Sequence, residues 1–154
     1  MMKKIFPLLC VAALMASCDL ETSDNGDLDG NWRMQRVDTL ATGGTTDLMS
    51  EKRYWGIEHK LMWIHDYVKD DRGYYCRFDH SGDSLRIYEP YANHGHEDSG
   101  QEGGGGDIPV TDFASSKLNL YGLSGLYTSF KVESLTGSRM VLTSKTVKIY
   151  FKKM

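Results

Sequence analysis

Phe130-Lys-Val-Glu-Ser-Leu-Thr-Gly-Ser-Arg-Met-Val-Leu-Thr143, followed closely by Thr146-Val-Lys-Ile-Tyr-Phe-Lys152, carries the alternation that decides the fold. Apolar and polar residues alternate on either side of Thr136-Gly137-Ser138, the period of half-buried strands joined by a turn. In the last strand Val147, Ile149 and Phe151 are expected to point inward, with Lys148, Tyr150 and Lys152 outward. Working back, Tyr74 to His80 and Ser84 to Glu89 flank Ser81-Gly82-Asp83 and read as a hairpin. Its inner face holds Tyr74, Cys76 and Phe78 on one strand and Leu85 and Ile87 on the other.

Arg53 to Asp66 reads as one long strand with Trp55, Ile57, His59, Leu61, Trp63 and His65 on a single face. Its other face (Tyr54, Gly56, Glu58, Lys60, Met62, Ile64) is polar in the middle and apolar at the end, which fits a bulge or a change of environment near Gly56 or Lys60. Trp32 to Asp38 is the first strand, and Gly43-Gly44 breaks the chain after it. Residues 108–126 fit no single pattern, with a short strand over Lys117 to Gly122 as one reading, and no helical periodicity is sustained anywhere in the mature chain. About seven or eight antiparallel strands with short turns fit a sandwich or an up-and-down barrel. Closure removes exposed edges, which favours the barrel.

The N-terminus explains how such a domain is held. Met1-Met-Lys-Lys-Ile-Phe-Pro-Leu-Leu-Cys-Val-Ala-Ala-Leu-Met-Ala-Ser-Cys18 has two lysines, a short apolar run and small residues before a cysteine. The run is too short to cross a bilayer. Ala16-Ser17-Cys18 resembles the lipobox of bacterial lipoprotein precursors, in which residues 1–17 are removed and Cys18 receives the lipid. An ordinary secretory signal, with Cys18 merely adjacent to the cut, is the competing reading. Three acyl chains on Cys18 make a lasting anchor where one does not.

Asp19 to Asp29 follows with five acids and no base, the composition of a solvated, flexible tether over residues 18–29. An acidic run after the lipidated cysteine resembles the surface-export signal of Bacteroidetes lipoproteins, so an outer-membrane, surface-exposed location is expected. The mature chain of about 137 residues has a net charge of about -5, which excludes long-range attraction to nucleic acid. Cys10 leaves with the signal and Cys18 is acylated, so Cys76 remains alone and is expected to be a buried apolar residue. No disulfide supports the domain.

Gly30-Asn31-Trp32 resembles the Gly-x-Trp of lipocalins. With the lipobox, the tether and the closing Phe130-x-Val-x-x-Leu, Met140-x-Leu and Tyr150-x-Phe-x-Lys pattern, residues 30–154 resemble the small lipocalin-like lipoproteins of Bacteroidetes. That resemblance implies an up-and-down barrel whose closed end is plugged by Trp32 beside a basic residue: Lys148, Lys152 or Lys153. It implies no defined activity.

Trp55, His59 and Trp63 with Tyr54 are the expected ligand-binding residues, as aromatics and a polar group describe a small-molecule pocket. The same face describes a packed barrel core equally well. His94, His96, Glu97 and Asp98 carry metal-compatible groups, but they sit in the Gly-rich, acidic segment 92–107, read as a mobile loop. No metal or cofactor is therefore expected. Glu58 with Asp66, or Asp79 with Asp83, read as outward or turn residues rather than acid–base pairs, and no nucleophile elbow or phosphate loop is present. The expectation is a non-enzymatic, membrane-tethered barrel that holds a small apolar or amphipathic ligand. The alternative is an envelope interaction or structural protein with a solid core, meeting a protein partner through loops 39–52 and 90–112.

Overall fold

The computed structural model describes residues 22–69, 71–94 and 106–154. The expected signal peptide, Cys18, residues 19–21 of the tether and His96, Glu97 and Asp98 lie outside the described residues. Ten strands form: β1 (Gly30–Thr39), β2 (Gly44–Asp47), β3 (Arg53–Glu58), β4 (Leu61–Asp66), β5 (Asp71–Ser81), β6 (Ser84–Ala92), β7 (Ile108–Pro109), β8 (Thr128–Leu135), β9 (Arg139–Thr143) and β10 (Val147–Lys153). Eight of them run antiparallel in the order β1-β3-β4-β5-β6-β8-β9-β10, and β10 pairs back onto β1 to close a barrel. β2 and β7 are short additions that cover the upper parts of β1 and β6 where β3 and β8 diverge.

An eight-stranded barrel has an interior just wide enough for side chains to fill. Here Trp55 occupies the centre, 4.8 Å from the ring of Phe151 and 5.8 Å from that of Phe130. Met34, Met62, Ile64, Leu85, Met140, Leu142 and Ile149 are fully buried around it. Cys76 is buried in this core, and desolvation pushes its thiol up to about 12. It packs as a small apolar residue.

Both ends of the barrel are stoppered. At the base, a 3-10 turn at Gly26–Leu28 tucks Leu28 completely inside. Trp32 donates its indole N–H to the Leu28 carbonyl at 2.7 Å. Lys153, of the three candidate lysines, lies over the Trp32 ring at 4.8 Å and donates to the Asp27 carbonyl at 2.9 Å. Gly30 is required there: its φ is +125°, and a Cβ would sit 2.8 Å from Lys153 Cε. The ordered domain therefore begins before Gly30, and residues 22–29, expected to belong to a flexible tether, pack against the base.

At the opposite end, Lys117 to Gly122 forms a 3-10 turn (Leu118–Tyr121) rather than a short strand. Leu118, Tyr121 and Leu123 point into the barrel and are buried. Arg53 holds this plug by donating to the Leu120 carbonyl, and it is paired in turn with Asp66 at 3.2 Å and with Glu51.

Arg53 to Asp66 is the main departure from expectation. It is a tight hairpin, β3 and β4, turning at His59-Lys60 with Glu58 opposite Leu61. The turn reverses the inward parity: Trp55 and Ile57 are buried on β3, but Met62 and Ile64 on β4. His59 enters the turn at φ 52°, a left-handed conformation that histidine tolerates better than most residues. No Gly, Pro or Asn marks it.

A bulge sets the next register. His65 alone stands opposite Arg72-Gly73 between the pairs Ile64–Tyr74 and Asp66–Asp71. Gly73 has φ +73°, and a Cβ there would lie 1.9 Å from the Ile64 carbonyl oxygen. Gly73→Ala should therefore destabilise the barrel by at least about 2 kcal/mol in urea unfolding, since neither the φ nor the backbone contact can relax. A loss below about 0.5 kcal/mol would show that the bulge does not hold the register.

Candidate functional site

The hairpin and bulge place one row of residues on the outer surface. Cross-strand partners run Asn31–Gly56, Gly56–Trp63, Trp63–Tyr75, Tyr75–Tyr91 and Tyr91–Pro109, so the row crosses six strands. A second bulge in β6 secures its far end. Glu89 and Pro90 together oppose Cys76, with Glu89 at φ 48°. Strict alternation after Leu85 and Ile87 would send Glu89 inward; the extra residue buries Pro90 and returns Tyr91 to the outside beside Tyr75.

Within this row lies an open cleft of about 730 Å3, lined by Asn31, Gly56, Glu58, His59, Trp63 and Tyr75 among others. Gly56 forms its floor, with no side chain between Asn31 and Trp63. The Trp63 and Tyr75 rings lie 6.1 Å apart and 27° from parallel. Trp63 cannot turn freely, because its indole N–H donates to the Arg72 carbonyl at 2.9 Å and one ring face stacks on His65 at 3.8 Å. The turn is held in place too, as Asn25 donates its side-chain amide to the His59 carbonyl at 2.6 Å. An adjoining cleft of about 650 Å3 shares Leu61 and Tyr75 and extends to Arg77, Tyr91 and Asp107.

The four expected ligand-binding residues thus part company. Trp55 is core. Trp63 walls the outer cleft and His59 sits at its rim. Tyr54 also faces outward, but it is covered by His65, stacked at 5.7 Å, and by Tyr67 at 5.4 Å. They do not line one pocket, because the His59 turn breaks the face they were expected to share. Gly56, Asn31 and Tyr75 were missed as site residues; their proximity depends on register across strands far apart in sequence. Glu58 and Asp66 fall at opposite ends of the hairpin, and Asp79 is engaged by Tyr88 and Arg86. Among the described residues no group of three or more His, Cys, Asp or Glu side chains is placed to hold a metal. His94 lies at the start of the expected mobile loop, its backbone N–H bonded to Asp107.

This architecture is that of a lipocalin-like barrel. The chain belongs to the lipocalin-like domain family, whose model matches residues 13–154. No curated protein matches it. It is similar in fold to the solved structure of a lipocalin-like protein from Bacteroides uniformis, at 17% identity and a TM-score of 0.57, covering 84% of this chain and 100% of that one. A protein from Bacteroides eggerthii is similar at 18% identity and a TM-score of 0.55, covering 82% and 98%.

His65 offers a pH test of the aromatic stack. Burial holds its imidazole below the ordinary 6.5, partly offset by the Asp66 carboxylate. Between the folded value and 6.5 the unfolded chain binds more protons, so stability should fall as pH drops through that window and be level above it. The melting temperature should decline from about pH 7 to pH 5, and His65→Phe should flatten that decline. Equal declines in both proteins would place the titration elsewhere.

Proposed function

We propose that this protein is a non-enzymatic, lipid-anchored binding protein of the outer membrane that uses its barrel as a scaffold and the outer face around Trp63 for recognition. One observation carries the reading: Trp55 is packed between Phe130 and Phe151 at the centre, while Trp63 and Tyr75 wall an open cleft. A filled interior leaves the surface as the place for a ligand or envelope partner. The lipobox-like Ala16-Ser17-Cys18 supports the anchor, and the acidic run after it supports surface display. The chain from Cys18 to Thr22 reaches about 14 Å at most, which keeps the cleft, lined in part by Ser23, near the tethered end.

A second reading, a small apolar or amphipathic ligand inside the barrel, is favoured by Trp55 itself. Its indole N–H is buried without a hydrogen-bond partner. Such a donor costs about 1–3 kcal/mol, and a ligand acceptor would relieve it.

Titration with cis-parinaric acid separates the two. The outer-face reading expects saturable energy transfer from tryptophan to be lost in the Trp63→Ala protein, which removes the cleft wall; saturable transfer that persists with unchanged affinity in that variant assigns binding to the interior. For the anchor, palmitate supplied to growing cells should label the wild-type protein and not Cys18→Ala. Equal labelling of both would remove Cys18 as the lipid site.

A further inference from the structure

We infer that the groove over Gly56, Trp63 and Tyr75 is a binding site for a neutral oligosaccharide. The inference rests on the outer face being the recognition surface and names the chemistry of its ligand.

Three features select this class. First, Trp63 and Tyr75 present two nearly parallel rings in sequence along the groove, and the negative π faces of such rings attract the polarised C–H bonds of a sugar ring. An ammonium group would also be attracted by either ring face, and choline is therefore the comparison ligand in the test. Second, the bare Gly56 floor lets a flat ring settle against the platform, with Asn31 on one side and Glu58 and His59 at the rim. These supply both acceptors and donors for hydroxyl groups. Asp24, Asp29 and Glu58 stand around this end with Lys60 as the one lysine, so the surroundings disfavour an anionic ligand. Third, the adjoining cleft continues past Tyr75 to Tyr91, with Arg77 and Asp107 beside it, which gives length for more than one sugar unit. The middle of the groove offers a peptide no free strand edge, because β3, β4, β5 and β6 are each paired on both sides over this row. Recognition must come from side chains.

The platform is also preorganised. Trp63 is fixed by Arg72 and His65 before any ligand arrives, so little side-chain freedom is lost on binding.

The test is calorimetry and Trp63 fluorescence with maltohexaose, cellohexaose, mannohexaose and xylohexaose, with choline as the cationic comparison. At least one hexasaccharide should bind saturably, and Trp63→Ala and Tyr75→Ala should each weaken it about tenfold or more. Gly56→Leu provides a variant whose Cβ the backbone accommodates, since the nearest atom to a Cβ there is 3.7 Å away and its φ is ordinary, and its melting temperature checks that it folds. It should block binding by filling the floor. Binding of choline alone, with a Trp63 response, would overturn the saccharide and leave the outer face as the recognition surface. Saccharide binding unchanged in all three variants would overturn both. No response to any hexasaccharide would overturn the inference alone.

Discussion

Everything else in this molecule is arranged around a barrel centre packed with large side chains. Trp55 between Phe130 and Phe151 fills the middle, Trp32 and Leu28 fill the base, and Leu118, Tyr121 and Leu123 fill the top. An aromatic side chain brings a large apolar surface to such a core, and it dominates the energetics of a domain with no disulfide. Cys76, the one cysteine among the described residues, serves the same packing. The plugs tie distant segments together: Lys153, next to last in the chain, binds Asp27, and Arg53 on β3 binds Leu120. Closure, core and the two end plugs are tied together.

Filling the inside dictates what happens outside. Each strand must present large residues inward, yet the outer row needs Trp63, Tyr75 and Tyr91 in register across β4, β5 and β6. Two bulges and one strained turn reconcile these demands. His59 at φ 52° and Glu89 at φ 48° hold conformations that cost of order 1 kcal/mol or more each, and such strain is kept where surrounding contacts fix it. Asn25 on the His59 carbonyl is such a contact, and the strand pairs Arg77–Tyr88 and Tyr75–Tyr91 bracket Glu89. The platform and its strain lie together.

Much of the fold is legible from alternation alone. The three closing strands, the hairpin about Gly82 and the inward set of Cys76, Phe78, Leu85, Ile87, Ile149 and Phe151 appear where period-two patterning puts them. The Gly30-Asn31-Trp32 motif also reads correctly, down to a lysine on the indole. What failed was parity within Arg53 to Asp66. Both faces of that segment are rich in large residues, and its turn is made by His59-Lys60, which carries no local turn signal. Once the turn is missed, Trp55 and Trp63 share a face on paper while standing on opposite sides of the sheet. The plug at Leu118–Tyr121 stays ambiguous in the sequence for a related reason: its apolar residues are too few to show a helical period. The candidate site was visible only as composition, because cross-strand register assembles it.

The filled barrel is tested most directly by 19F NMR of protein labelled with 5-fluorotryptophan, in the presence of a soluble paramagnetic agent. Trp32, Trp55 and Trp63 give separate resonances that variants assign. Only the Trp63 signal should broaden, because its cleft is open while Trp32 and Trp55 are fully buried. Broadening of the Trp55 signal comparable to that of Trp63 would mean that solvent reaches the barrel centre, and the account of a solid scaffold would be wrong.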